Sequence, residues 1–309
     1  MLWRKISNLF PLPMDRGHPA PTPAPPVTKS ISVPEIRTLS VKIDAHCKAL
    51  RESAVEMQRL FYVSCQNEPI KPLACYAESN FSQNGEDGII AEIFRRLGQP
   101  CRTFIEIGAG DGTENNTIYL LLGGASGLWV EAGAKNCAAI REGHKAALAI
   151  RALALAEQKV SMENVNAIIS GADLSRDLDL LSIDIDGNDY WVWKAVTVVA
   201  PKVVVMEYNA RFGSSLSWTI EYNAAHTWPG GNSYFGASLK ALEKLGREKD
   251  YVLVGTDFMG VNAFFVRKDL LADKFSGPYT AEALFQPFRR SLGAHPKGKA
   301  VQFGPYVNP

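Results

Sequence analysis

Two hydrophobic periods divide this chain, and their order predicts its architecture. Between Val33 and Ser64 the apolar residues Leu39, Ile43, Cys47, Leu50, Val55, Met57, Leu60 and Phe61 form an imperfect stripe at helical spacing, with Pro34 in the first turn. That stripe predicts a helix packed on the domain or on a second copy of the chain. From Ser79 the pattern sharpens. Ile89, Ile90, Ile93, Phe94 and Leu97 recur at helical spacing, and Gly98 ends the helix. A strand Phe104–Ile107, a helix Ile118–Leu122, a strand Gly127–Val130 and a helix from about Lys135 follow. Next come a strand near Leu148–Leu155 and a helix over Met162–Ile169, capped by Ser161. Leu180–Ile185 and Val203–Met206 read as two more strands. Such alternation predicts a parallel sheet covered by helices.

The pattern changes at its end. A helix Ala237–Leu245 leads into Tyr251–Gly255, a short turn around Phe258-Met259-Gly260, and Val261–Arg267. Strands joined this closely must pair antiparallel, because a parallel crossover needs roughly a dozen residues or more. The expected fold class is therefore α/β: a Rossmann-like, doubly wound, mostly parallel sheet with an antiparallel C-terminal hairpin, plus an N-terminal helix.

Composition adds boundaries. Seven prolines between residues 11 and 26 make residues 1–32 a disordered, Pro-rich arm. Residues 33–78 form a helical extension, 79–275 the main domain, and 276–309 a tail rich in Pro, Gly, Phe and basic residues. A net charge of +1 gives no field to attract nucleic acid. The five cysteines (47, 65, 75, 101 and 137) lack a C-x-x-C pair and read as reduced thiols in a cytoplasmic protein. No apolar run is long enough to span a membrane. The start Met1-Leu2-Trp3-Arg4-Lys5-Ile6 is apolar only as far as Pro11, too short for a signal core but compatible with weak peripheral membrane contact.

The chemistry concentrates at strand ends. Glu106-Ile107-Gly108-Ala109-Gly110-Asp111-Gly112 closes the first strand with three glycines at alternate positions, where a buried strand turns and backbone approaches a ligand. Ligands of open α/β sheets bind at the carboxyl ends of the strands, so a nucleotide-like cofactor is expected. A dinucleotide fingerprint is G-x-G-x-x-G, whereas this is E-x-G-x-G-x-G. Glu131 ends the second strand and is placed to accept ribose hydroxyls. Asp184 and Asp186, two apart at another strand end, point to one side, and Glu207-Tyr208-Asn209 ends the next strand. These acids suit a Mg²⁺-type oxygen-ligand site or a general base for an acceptor hydroxyl. His226 sits in a polar loop with Trp228 and Tyr234, suited to sugar binding or proton transfer.

The glycine spacing resembles the first motif of class I S-adenosylmethionine (SAM) methyltransferases, and the closing hairpin resembles their sheet. With Ser82-Gln83-Asn84-Gly85-Glu86-Asp87, Leu181-Ser182-Ile183-Asp184-Ile185-Asp186-Gly187 and Val205-Met206-Glu207-Tyr208-Asn209, the ordered motifs look like the FkbM-like branch of that group, over residues 79 to 267. The resemblance implies O-methylation of a small-molecule or glycan hydroxyl. It implies SAM held by Gln83, Glu106, Gly108, Gly110, Asp111, Gly112 and Glu131, and an acceptor served by Asp184, Asp186 and His226. A divalent cation on Asp184, Asp186 and Glu207 is implied too, although the fifth strand ends in Glu-Tyr-Asn where a paired Asp is expected. The competing readings are a nicotinamide-dependent oxidoreductase and a noncatalytic module keeping the fold. Self-association into a homo-oligomer is compatible with either class.

Overall fold

The computed structural model describes residues 41–42, 53, 56–172, 174, 176–289 and 306–309. The chain forms two compact units, Met1–Ala45 and His46–Pro309. Of the first, only residues 41–42 are described, and both are helical. The Pro-rich arm and most of the helix expected over 33–64 lie outside the described residues, while residues 56–64 are helical. Everything below concerns the second unit.

Its centre is a seven-stranded sheet. The strands are β1 (Thr103–Ile107), β2 (Ser126–Glu131), β3 (Leu153–Glu157), β4 (Leu180–Ile183), β5 (Val203–Glu207), β7 (Tyr251–Thr256) and β8 (Asn262–Arg267), in the order β3-β2-β1-β4-β5-β8-β7. The first five pair parallel, and β8 enters antiparallel between β5 and β7. The expected α/β sheet with its closing hairpin is therefore present. Strand order reverses between β1 and β4, the point beyond whose strand ends open α/β sheets place their ligand crevice.

The β-branched runs form central strands because both faces are buried. Ile105, Ile107, Leu181, Ile183, Val204 and Met206 enter one core layer, while Phe104, Leu180, Val203 and Val205 enter the other. Helices α1 (Glu86–Leu97), α2 (Ile118–Leu122) and α3 (Ala134–Gly143) cover the second layer. Helix α4 (Lys145–Ala149) follows α3. The first layer is covered by α5 (Val165–Ser170), α6 (Asp189–Ala195) and α7 (Leu239–Glu248). Each fully buried Ile or Val contributes about 1.5–3 kcal/mol to this packing.

Three boundaries differ from the sequence pattern. Residues Lys145–Ala149 are helical, Arg151 turns at φ 58°, and β3 begins only at Leu153, just after Ala152 accepts a hydrogen bond from the Gly127 N–H. Helix α5 starts at Val165, and Ser161 does not cap it. Instead the Ser161 N–H donates to Asn164 Oδ1 at 2.8 Å, which consumes the would-be cap. Strand β4 stops at Ile183, because the chain bends sharply through Asp186 at φ 52°.

Residues 276–289 lie along the hairpin, with α8 at Ala281–Leu284. Tyr208 Oη donates to the Gln286 carbonyl (2.7 Å) and Thr256 Oγ1 to the Leu284 carbonyl (2.6 Å). A second, two-stranded sheet pairs β6 (Thr219–Ile220) with β9 (Tyr306–Val307). Among the described residues no helix is long and apolar enough to cross a membrane.

Candidate functional site

The glycine turn lies at the end of β1, held to β2 by the Gly108 N–H on the Val130 carbonyl (2.9 Å). Its glycines are required for different reasons. At Gly108, φ is +95° and a Cβ would stand 1.7 Å from the Asp184 carbonyl oxygen, so the glycine lets β1 and β4 close together. At Gly110, φ is +59° and a Cβ would meet nothing within 4 Å, so this backbone faces open space. Gly112 packs beneath His144, whose Nε2 lies 2.8 Å from the Gly112 carbonyl, and His144 stands edge-on to Trp129. Only Gly110 has the free approach that a ligand needs. Beside it, Glu131 accepts the N–H groups of Gly110 (3.0 Å) and Gly133 (2.7 Å), and the Asn136 amide at 3.3 Å. A carboxylate offers about four acceptor positions, so capacity remains for a ribose hydroxyl. An open glycine turn next to a half-buried acid fits the adenosine part of SAM. Asp111 is exposed, and its carboxylate accepts Thr113 N–H and O–H, which hold its pKa below the ordinary value.

Glu106 takes a different position from the one its motif suggests. It is 2% exposed, and its two oxygens accept the Asn116 N–H (2.8 Å) and the Thr117 hydroxyl (2.5 Å). Thr117 in turn accepts from Trp129 Nε1, and Asn116 reaches Ser182 Oγ. Burial pushes Glu106 up to about 7, against those bonds. Glu106 thus braces the loop after the glycine turn. Gln83 is exposed in a loop anchored on both sides of it. Asp87 Oδ2 accepts the N–H groups of Asn80, Phe81 and Ser82, while Ser82 Oγ accepts the Asp87 N–H. Glu86 ties the same loop to β8 through Asn84 and Asn262. Sequence reading missed the bracing roles of Asp87, Glu86, Asn116, Thr117 and His144. The reciprocal Ser82/Asp87 spacing was the available signal.

The acids of β4 and β5 do converge. Asp184, Asp186 and Glu207 each place a carboxylate oxygen within 4.8 Å of the others. Strand pleating does not explain this, since Asp186 sits in a turn beyond β4. The turn itself is shaped by Asp189, fully buried, which accepts the N–H groups of Ile185 and Gly187, both at 2.8 Å. Sequence reading gave Asp189 no separate role. Burial raises Asp189 to about 6. Burial, then the negative neighbours Asp186, Asp189, Glu106 and Glu86, hold Asp184 well above the ordinary carboxylate range. Like charges this close favour a shared proton or a hard cation with oxygen ligands.

His226 covers that turn. A Cβ on Gly187 would lie 2.6 Å from His226 Cδ2, so the glycine makes room for the ring. His226 Nε2 is buried with no hydrogen-bond partner among the described residues. Burial, and then the charge of Lys159, keep its pKa below the ordinary value. Lys159 donates to the His226 carbonyl at 2.9 Å. A neutral imidazole with an unpartnered ring nitrogen can accept a proton. Of the sequence-predicted residues, Asp184, Asp186 and Glu207 converge, His226 packs on the Gly187 turn, Gly110 and Glu131 are bonded at the neighbouring ends of β1 and β2, and Gly108, Gly112 and Glu106 hold the glycine turn and the loop after it.

Neither the protein-family models nor the curated proteins match this sequence. Among solved structures the chain is similar to a SAM-dependent methyltransferase from Clostridium acetobutylicum, at 11% identity over 60% of this chain and 92% of that one, with a TM-score of 0.40. It is also similar to the CcbJ methyltransferase from Streptomyces caelestis (14% identity, 60% and 90% covered, TM-score 0.39). An O-methyltransferase from Bacillus cereus in complex with SAH is a third (18% identity, 54% and 69% covered, TM-score 0.32). Overlap of this extent identifies neither a family nor a reaction, so the FkbM-like resemblance rests on the sequence motifs alone.

Proposed function

We propose that the chain is a SAM-dependent O-methyltransferase of the FkbM-like type, acting on a hydroxyl of a sugar, glycan or glycosylated metabolite. One observation carries this reading: acids from the adjacent ends of β4 and β5 converge next to the glycine turn that ends β1, whose Gly108 lies against the Asp184 carbonyl and whose Gly110 is open. SAM supplies an electrophilic methyl group when bound. The Gly110 backbone and Glu131 hold its adenosine, and the exposed Gln83 of the Asp87-anchored loop is a further contact in this reading. Asp184, Asp186 and Glu207 offer the oxygen ligands for a Mg²⁺-type cation, which would orient and acidify an acceptor hydroxyl. His226 takes up the hydroxyl proton at Nε2. Since displacement at a methyl group is in line, these residues contribute mainly positioning and removal of one proton.

Calorimetry of the full chain with SAM, SAH and NAD tests the cofactor assignment. SAM and SAH bind and NAD does not; an absence of SAM binding at millimolar ligand would sink the proposal. Methyl transfer from labelled SAM to glycan fractions, with and without a chelator, tests the cation, and transfer unchanged by chelation removes it.

A further inference from the structure

Residues Tyr306–Val307 pair with the loop that carries His226. The loop between β5 and α7 folds back over the ends of β4 and β5: the Asn209 N–H donates to the Ala237 carbonyl (2.7 Å), and the Gly236 N–H to the Gly187 carbonyl (3.1 Å). Strand β9 is added to this loop through β6. It delivers Tyr306, whose ring stacks on Trp218 with centroids 5.7 Å apart and planes 6° apart. Phe212 meets both rings edge-on, at 5.0 Å from Tyr306 and 5.9 Å from Trp218.

This cluster reaches the candidate site by two routes. Tyr234 lies 5.3 Å from Tyr306 and 5.7 Å from His226, the residue that covers the Gly187 turn. The Tyr306 hydroxyl also shares the Ser233 carbonyl with Asn209 Nδ2, at 3.5 Å and 2.8 Å. Asn209 stands two residues beyond Glu207. Tyr306, Trp218, Tyr234 and Phe212 are each only partly buried, so the cluster keeps some exposed aromatic surface on the His226 side of the loop.

We propose that Tyr306 is an acceptor-binding residue, and that the C-terminal strand completes an aromatic wall against which the apolar face of a pyranose ring stacks. This rests on the proposed sugar O-methyltransferase reading. The wall supplies ring faces, and the hydroxyls on the opposite side of the sugar are left toward Asp186, Glu207 and His226. Acceptor specificity then depends on residues about a hundred positions from the acids in sequence.

The test uses the full chain, its Tyr306→Ala and Tyr306→Phe variants, and a chain ending at residue 305. The probes are methyl α-glucoside, methyl α-galactoside, methyl α-mannoside and methyl α-rhamnoside, followed by saturation-transfer NMR with SAH present. At least one glycoside binds the full chain. Tyr306→Ala and the truncation weaken it by about five- to tenfold, as loss of one stacking ring should, and Tyr306→Phe retains it. SAH affinity by calorimetry stays unchanged in all four proteins, which a general structural defect would not allow. Equal glycoside binding in Tyr306→Ala and the full chain overturns the proposal. So does SAH binding without saturation transfer to any glycoside. Failure of the full chain to bind SAH refutes instead the reading on which it rests.

Discussion

Glu106→Gln separates a brace from a cofactor contact. The buried Glu106 carboxyl is pushed from an ordinary 4.5 up to about 7. Because the folded value lies above the unfolded one, the folded chain keeps a proton that the unfolded chain releases. The stability this contributes is complete below about pH 4.5 and is lost as pH rises through 7. The full gap corresponds to about 3 kcal/mol, most of it falling between pH 5 and pH 8. Gln cannot titrate, keeps the acceptor for the Asn116 N–H, and presents an amide to Thr117 Oγ1, which can accept it beside Trp129 Nε1. Other titrating groups, Asp257 and Asp189 among them, are common to both proteins and cancel in the difference. Thermal unfolding from pH 5 to 8 should therefore show the variant gaining on the parent, by about 5–10 °C at pH 8 relative to pH 5. SAM affinity should change by less than about twofold, since the side chain is buried and both oxygens are taken by Asn116 and Thr117. Parallel melting curves across that range, together with a tenfold loss of SAM affinity, would refute the reasoning and return Glu106 to the cofactor contact its motif suggests.

Gly108→Ala forces a Cβ to 1.7 Å from a backbone oxygen and should cost more than about 3 kcal/mol or abolish folding. Gly110→Ala meets nothing within 4 Å and should cost only about 1–2 kcal/mol for its left-handed backbone, while calorimetry shows SAM affinity falling further than stability. Asp189→Ala orphans two backbone N–H groups in the turn that presents Asp184 and Asp186, so denaturant unfolding should register a loss of about 2–4 kcal/mol, with methyl transfer lost alongside it. With the His226 pKa held below 6.5, the acid limb of the transfer rate lies below that pH; a limb that persists in His226→Gln would assign the proton to another group.

The architecture was legible because it is written in local periods. The β-branched runs at Phe104–Ile107 and Val203–Met206 are buried on both faces, and a run of that kind has few other places in a fold. Likewise the short link between the last two strands left antiparallel pairing as the only option. Boundaries were read less well where side chains compete with the backbone. Asn164 turned away from its helix to bond Ser161, and nothing in the spacing distinguishes that choice from a cap. In the site, the residue types were visible but not their directions.

Sequence alone therefore determined the sheet, its closing hairpin and the acids at three strand ends, because periodicity and chain length act locally. Only the tertiary structure decided which of those groups face the crevice. Glu106 and Glu131 both end strands beside the same turn, yet Glu106 is turned inward by Thr117 and Asn116, while Glu131 stays half-buried next to Gly110. Asp184, Asp186 and Glu207 meet because Asp189 bends the chain beyond β4, not because of strand pleating. Tyr306 joins the His226 loop through a two-residue strand, paired with Ile220, 86 positions away. Contacts of that range depend on where the core places each loop, which a one-dimensional pattern does not encode.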